Sequence, residues 1–306
     1  MGRLGSSAAR KKRRAVEAAG LVASSVMSWG ASAVSSSLPV SPAAPNSQPE
    51  PAPPAARLTP PPVPYWSQGE SRGFVSGTAA LGLGSARLTQ AFGYGRPHWM
   101  WAGVETTGYV SPYFGAIQSG LHVDALLAEA SIALRHTASF EYGSVPAVPS
   151  VTHSELVRNK DKISYNSLDA SLWGYAPYRD LLLAWEFTYA RLLGFDDSLL
   201  FEEYQRVVVG RHGLFTTKLA PMVRLPRTRP FYVGVLGEQI SLLGRTETMV
   251  FRLGPTFWGK LGDHWDIIGC WSLPIHSPDR LGAWIGSYAY LSVGYAFATG
   301  DEGRKP

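Results

Sequence analysis

A hydroxyl beside an imidazole can make a nucleophile with its base, and this chain offers three such places. His136 and Ser139 stand three apart, while His153-Ser154 and His276-Ser277 are adjacent. The imidazole must reach the hydroxyl to take its proton, and on a strand only an even spacing puts both on one face. His136 and Ser139 therefore alternate to opposite faces, and the other two pairs fall in loop-like sequence. Asp196-Asp197, with Glu202-Glu203 nearby, reads as a solvated acidic loop, with a divalent-cation or lipopolysaccharide-counterion site as the alternative. The seven histidines are scattered without metal-ligand spacing. Cys270 is the only cysteine, so no intrachain disulfide can form, and it is expected to lie buried in a wall. Gly82, Gly84, Gly93 and Gly95 do not form a phosphate loop and are expected to serve strand coiling or close packing. No catalytic, cofactor or metal residues are assigned on these grounds.

The elements that could position such groups emerge once the charge is mapped. The 306 residues carry 28 Lys and Arg against 23 Asp and Glu, a net charge of +5. All of that excess lies in residues 1–33, where Arg3, Arg10, Lys11, Lys12, Arg13 and Arg14 face only Glu17. The remainder is balanced, which removes the basic-patch argument for nucleic acid. Residues 1–33 read as a signal peptide: a cationic start, an uncharged stretch to Val34 and an Ala31-Ser32-Ala33 cleavage pattern. Residues 34–77 read as a disordered linker, because 11 of the 23 prolines lie between Leu38 and Tyr65 and such composition buries too little apolar surface to order.

From residue 78 to 298 the dominant signal is period-two alternation. Leu183, Trp185, Phe187 and Tyr189 share one face, and Glu186 and Thr188 the other. Ala130, Ile132 and Leu134 oppose Glu129, Ser131, Arg135 and Thr137. Comparable runs lie near 85–93, 99–107, 113–123, 168–175, 204–211, 214–224, 231–242, 249–257, 265–273 and 281–298. They run to roughly ten residues, where a soluble strand averages ~5–6 and a tilted bilayer-crossing strand takes ~9–11. The expectation is an all-β fold, an antiparallel transmembrane β-barrel of about 12 strands with a range of 8–14. Helices over 116–136 and 196–209 would shrink it to eight or ten. Tyr94, Trp99, Trp101, Tyr109, Tyr113, Tyr175, Tyr178, Phe231, Tyr232, Trp258 and Trp265 fall near strand ends and suggest interfacial girdles.

With these features residues 78–298 resemble a Gram-negative outer-membrane β-barrel. The run Tyr288 to Phe297 resembles the C-terminal strand of that class, although Ala298 to Pro306 follow its closing aromatic. The resemblance implies an outer-membrane location, with membrane lipid and the barrel-insertion machinery as partners, no nucleic acid and no cofactor. Residues 299–306 are a short polar tail. If the apolar faces meet lipid, then Glu105, Glu129, Arg135, Asp169, Glu186, Lys218, Arg224, Glu238, Arg252 and Asp266 face the interior. Both signs are present, which favours an internally paired, narrow or closed interior over a charge-selective pore. Residues 141–166 read as a long polar loop or short helix, and counting strands back from a periplasmic C-terminus puts them on the periplasmic side.

The functional expectation is a non-enzymatic narrow channel, transport component or structural scaffold. Two alternatives stand beside it. The first is a lipid-modifying barrel enzyme centred on His136, although outer-membrane phospholipase A and lipid A deacylase place His two positions before Ser and this chain does not. The second is a secreted soluble barrel holding an apolar ligand, which would put the apolar face inside.

Overall fold

The computed structural model describes residues 65–67, 70–145, 148–158, 162–194, 199–227, 229–246 and 248–299. The signal peptide, the linker before Tyr65, Asp196-Asp197 and residues 300–306 lie outside the described residues.

Alternating sequence has produced strands of 11 to 16 residues that bury one face. In chain order they are β1 (Arg72–Gly82), β2 (Ser85–Arg96), β3 (Met100–Val110), β4 (Phe114–Ala125) and β5 (Ala128–Ser139). After the two-residue β6 (Ser144–Val145) and helix α1 (His153–Arg158) come β7 (Ile163–Tyr178) and β8 (Leu181–Leu193). The short β9 (Leu199–Glu202) and β10 (Val207–Val209) precede β11 (Leu214–Arg224), β12 (Phe231–Leu242), β13 (Met249–Lys260) and β14 (Trp265–His276). Helix α2 (Gly282–Gly286) leads into β15 (Tyr288–Ala298).

Twelve of these strands close into one antiparallel barrel, in the order β1-β15-β14-β13-β12-β11-β8-β7-β5-β4-β3-β2. The seam between first and last strand runs from Ser76↔Ala298 to Gly82↔Ser292. Backbone bonds from Leu83 N to Leu291 O and from Thr299 N to Val75 O extend it at both ends. β6, β9 and β10 form a separate three-stranded sheet.

The expected strand number is right, but its membership needs two corrections. Residues 204–211 are not a wall strand. In exchange, Arg72–Gly82 is one, although its first six residues fall inside the range read as linker. The linker range also includes an ordered 3-10 turn, Tyr65–Ser67. Its Trp66 ring packs 4.7 Å from His98 and 5.2 Å from His264, and both imidazoles bond carbonyls at the end of β15.

The miscounted strand also explains the misplaced loop. Seven wall strands, not eight, follow the connection 140–162, so it lies at the end opposite the termini. The connections 194–213 and 277–287 lie there too, while the termini end has short turns such as Leu126-Leu127 and Arg179-Asp180. Long connections at the far end and tight turns at the termini end match the extracellular and periplasmic sides of this class. Residues 116–136 form the β4–β5 hairpin, not a helix.

The faces sort as a membrane barrel requires. Ile117, Leu121, Ile132, Leu134, Leu183, Leu219, Val235, Leu253, Trp271 and Leu273 are large, exposed and on the outer face. Glu186 points inward to Lys218, and Trp185 lies outward against the bare backbone of Gly174. A soluble barrel holding an apolar ligand would reverse this order. The girdle expectation divides. Tyr94, Tyr178 and Trp265 are exposed outside near the termini end. Trp101, Tyr109, Tyr175, Tyr232 and Trp258 instead turn inward, and Trp101 stacks 4.5 Å from His122. Alternation counted from the strand end, not proximity to that end, decided their side.

At the seam Phe297 lies across Gly77, its cross-strand partner. A side chain at Gly77 would meet that ring and Thr89 O, each at 2.6 Å. Gly77→Val is therefore predicted to cost about 1–3 kcal/mol of overpacking at the closing pair. Folded, fast-migrating protein on unheated gels should convert to the unfolded band at a lower temperature than wild type.

Candidate functional site

Most of the ionisable side chains that meet one another among the described residues do so in the interior. Its far end is filled by the chain itself. Leu199-Leu200-Phe201 and Val207-Val208-Val209 are apolar on both strand faces, so neither face can be left to water. The β9–β10 hairpin they form is buried on both sides. Leu200, Val207 and Val209 pack against the inner wall at Tyr165, Leu192, Leu214, Ile240, Leu242 and Val250. Leu199, Phe201 and Val208 pack against Tyr142, Val145, Val151 and Leu156 of the 140–162 connection and Leu281 and Ile285 around α2. The turn 203–206 dips further in, placing the Tyr204 ring 5.9 Å from Tyr109 and beneath Arg135.

Ion pairs hold this plug in register. Arg135 Nε donates to Asp169 Oδ2 at 2.7 Å and its Nη1 to Glu202 Oε1 at 2.7 Å. Glu202 also accepts from the Tyr165 hydroxyl and the Gln205 backbone N–H. Arg252 donates to Glu238 at 2.9 Å and to the Arg206 carbonyl at 3.1 Å. Lys218 bonds Glu186 at 3.2 Å and lies 3.8 Å from Glu238. Ser139 Oγ donates to Glu203 Oε1 at 2.7 Å. Outside the lumen, Arg245 clasps the far-end connections together: it forks onto both Asp279 oxygens and donates to Val208 O and Pro149 O. α1 is set by a capping box in which Thr152 and Glu155 exchange bonds.

A second group lies nearer the termini end. His122, stacked on Trp101, stands 3.7 Å from Glu105 and 3.5 Å from Glu129. Trp173 Nε1 donates to Glu129 at 2.8 Å. Asp124 is the direct cross-strand neighbour of Glu129.

Of the ten residues named from sequence, the structure joins Arg135 with Asp169, and Glu186, Lys218, Glu238 and Arg252 in one chain of contacts. Glu105 and Glu129 meet through His122. Asp266 lies near the termini-end mouth, 3.8 Å from Lys260, and Arg224 is half-buried at the end of β11. Arg87, His122, Asp124, Arg206 and Lys260 went unnamed. Arg87 and His122 occupy inward positions of runs that alternation had already marked, Asp124 lies one residue past the end assigned to its run, and Lys260 lies three past the end of 249–257. Glu202 and Glu203 do not belong to a solvated loop, because both are buried. The signal was present: two apolar triplets flanking them have no polar face, which marks a hairpin buried on both sides. His136 faces outward, and its partner is Asn166 Oδ1 at 2.9 Å; no hydroxyl or carboxylate among the described residues is bonded to it. The described residues give His136 no nucleophile to activate for lipid-modifying chemistry. Cys270 is half-buried and borders the inner apolar cluster of Leu182, Ala220, Met222 and Leu236.

No family model and no curated protein matches the sequence. Among solved structures, a loop-deletion variant of OmpT, an outer membrane protein of Vibrio cholerae, aligns at 8% identity and TM-score 0.31, covering 74% of this chain and 97% of that one. The translocator domain of the autotransporter NalP from Neisseria meningitidis aligns at 11% identity and TM-score 0.34, over 75% and 89%. CdiB from Acinetobacter baumannii aligns at 8% and 0.36, over 75% and 60%. The architecture of this chain rests on its own closure and outward apolar belt.

Two outcomes are expected. Arg135→Ala leaves Asp169 and Glu202 buried without their cation, a loss of ~3–5 kcal/mol for a broken buried pair. Limited proteolysis should then cut within residues 194–213 faster than in wild type, with the barrel still folded. The second concerns pH. Burial, ahead of neighbouring Glu202 and Glu141 and against Arg206 and the Ser139 bond, pushes the Glu203 carboxyl up to about 8. The seated plug thus holds a proton that a solvated Glu203, with its ordinary value of 4.5, gives up. Seating is strongest at acidic pH and weakens as pH rises through that window. Proteolysis of 194–213 should accelerate from pH 5 to 8, and Glu203→Gln should flatten the dependence.

Proposed function

We propose that this protein is an integral outer-membrane barrel whose resting state is closed by its own β9–β10 hairpin, so that any passage of solute requires that hairpin to move. The observation that carries the reading is the seating of Leu200, Phe201, Val208 and Val209, each fully buried inside the far end of a closed wall. Buried apolar packing on both faces of the hairpin excludes water from that end. The Arg135–Glu202 ion pair and the hydrogen bond from Arg252 to the Arg206 carbonyl tie the hairpin to β5 and β13, and Asp169 and Glu238 extend these links to β7 and β12. Mixed charge along the wall supports a filled interior over a pore selective for one sign. The outward apolar belt and the inward charges support membrane residence.

The decisive measurement is single-channel current in planar bilayers. Wild type should be silent or show only rare, brief openings. A variant in which residues 197–210 are replaced by a short Gly-Ser linker should give sustained openings. Sustained wild-type current, or a silent variant that still migrates as a folded barrel, contradicts the reading.

A further inference from the structure

We propose that the inner wall formed by β4, β5 and β7 near the termini end is a binding site for a small organic cation, an amine or quaternary ammonium group held by Asp124, Glu129 and the Trp173 indole. This goes beyond the plugged resting state and does not depend on it, since the site lies toward the termini end of the lumen and the hairpin fills the far end.

Four observations carry it. Asp124 and Glu129 are directly paired across β4 and β5 and both face inward, an arrangement in which two carboxylates repel. Asp124 is nine-tenths buried, with 9% of its surface exposed, and has no ion-pair or hydrogen-bond partner among the described residues. Glu105 adds a third carboxylate, and the nearby bases are few: His122, 3.7 Å from Glu105 and 3.5 Å from Glu129, and Arg87 within electrostatic reach of both. Trp173 orients Glu129 through its Nε1, and the residue, on an inward position of β7, keeps 39% of its surface exposed.

Together these make the chemistry that recognises an organic cation: charge-assisted acceptors beside an open aromatic face. A hard divalent cation would instead need six or more oxygens converging at ~2.0–2.6 Å. No group of three acidic, His or Cys side chains among the described residues is close enough to provide them. An ammonium tolerates longer, fewer contacts and gains from the indole.

The test uses the folded full-length barrel in detergent micelles at low ionic strength, titrated calorimetrically with putrescine, with choline and with magnesium chloride. At least one organic cation should bind saturably with one site per chain. Asp124→Asn should weaken it at least tenfold, and Trp173→Leu about threefold or more. Asp263→Asn, in an exposed turn at the same end, should leave it unchanged. If Asp124→Asn fails to fold, Trp173→Leu still decides. Asp124→Asn should also raise the melting temperature of the ligand-free barrel, because it removes the repulsion. Absence of saturable binding by either organic cation, binding of magnesium alone, or full retention of binding in both site variants overturns the proposal.

Discussion

Closure of β15 onto β1 is the constraint from which the rest of the molecule follows. Inside a bilayer no water can satisfy a strand edge, and an unpaired backbone group costs several kcal/mol there. Twelve strands that pair all the way round leave no edge. The closing contact is demanding because the partners are the two ends of the wall, and Gly77 beneath Phe297 is what lets these strands approach. The bonds from Arg72 to Thr299 and from His98 and His264 to the end of β15 fasten the same seam.

A closed wall then dictates where charge can go. Each strand has one face in lipid, so the ionisable groups of every strand are forced into a shared interior narrow enough for them to meet. Arg135 shows how this is resolved. It bonds Asp169 on the neighbouring strand and Glu202 on the inserted hairpin, so one guanidinium serves both wall and plug. Burial of ions is rarely a net source of stability, but a buried guanidinium that demands two acceptors fixes the hairpin in one register. The lower lumen has no equivalent. There Asp124 and Glu129 sit opposite each other with little cationic compensation, and Asp124 is buried without a partner among the described residues.

Much of this was legible beforehand. Period-two runs of membrane-crossing length gave the class and strand number, and put Glu129, Arg135, Glu186 and Lys218 on the inner face. Three things were not legible. The strand Arg72–Gly82, with Gly73, Gly77 and Gly82 and small residues between them, has too little apolar contrast to stand out from a linker. Residues 199–209 show strong β character but no alternation, so they passed for wall sequence. Trp101 and Tyr109 sit near strand ends and looked interfacial, although their parity turns them inward.

Within the runs it marked, the sequence alone determined which residues share a side of the wall, because side-chain direction along a strand is a local property with a period of two. It also determined that both charge signs would share the interior. Only the tertiary structure decided which of those charges meet, that the 140–162 connection lies at the far end, and that the 199–209 hairpin folds inward as a plug. Those outcomes depend on register between strands far apart in the chain, and on whether an apolar segment finds its burial against lipid or against the protein's own interior. Local periodicity has no information about either.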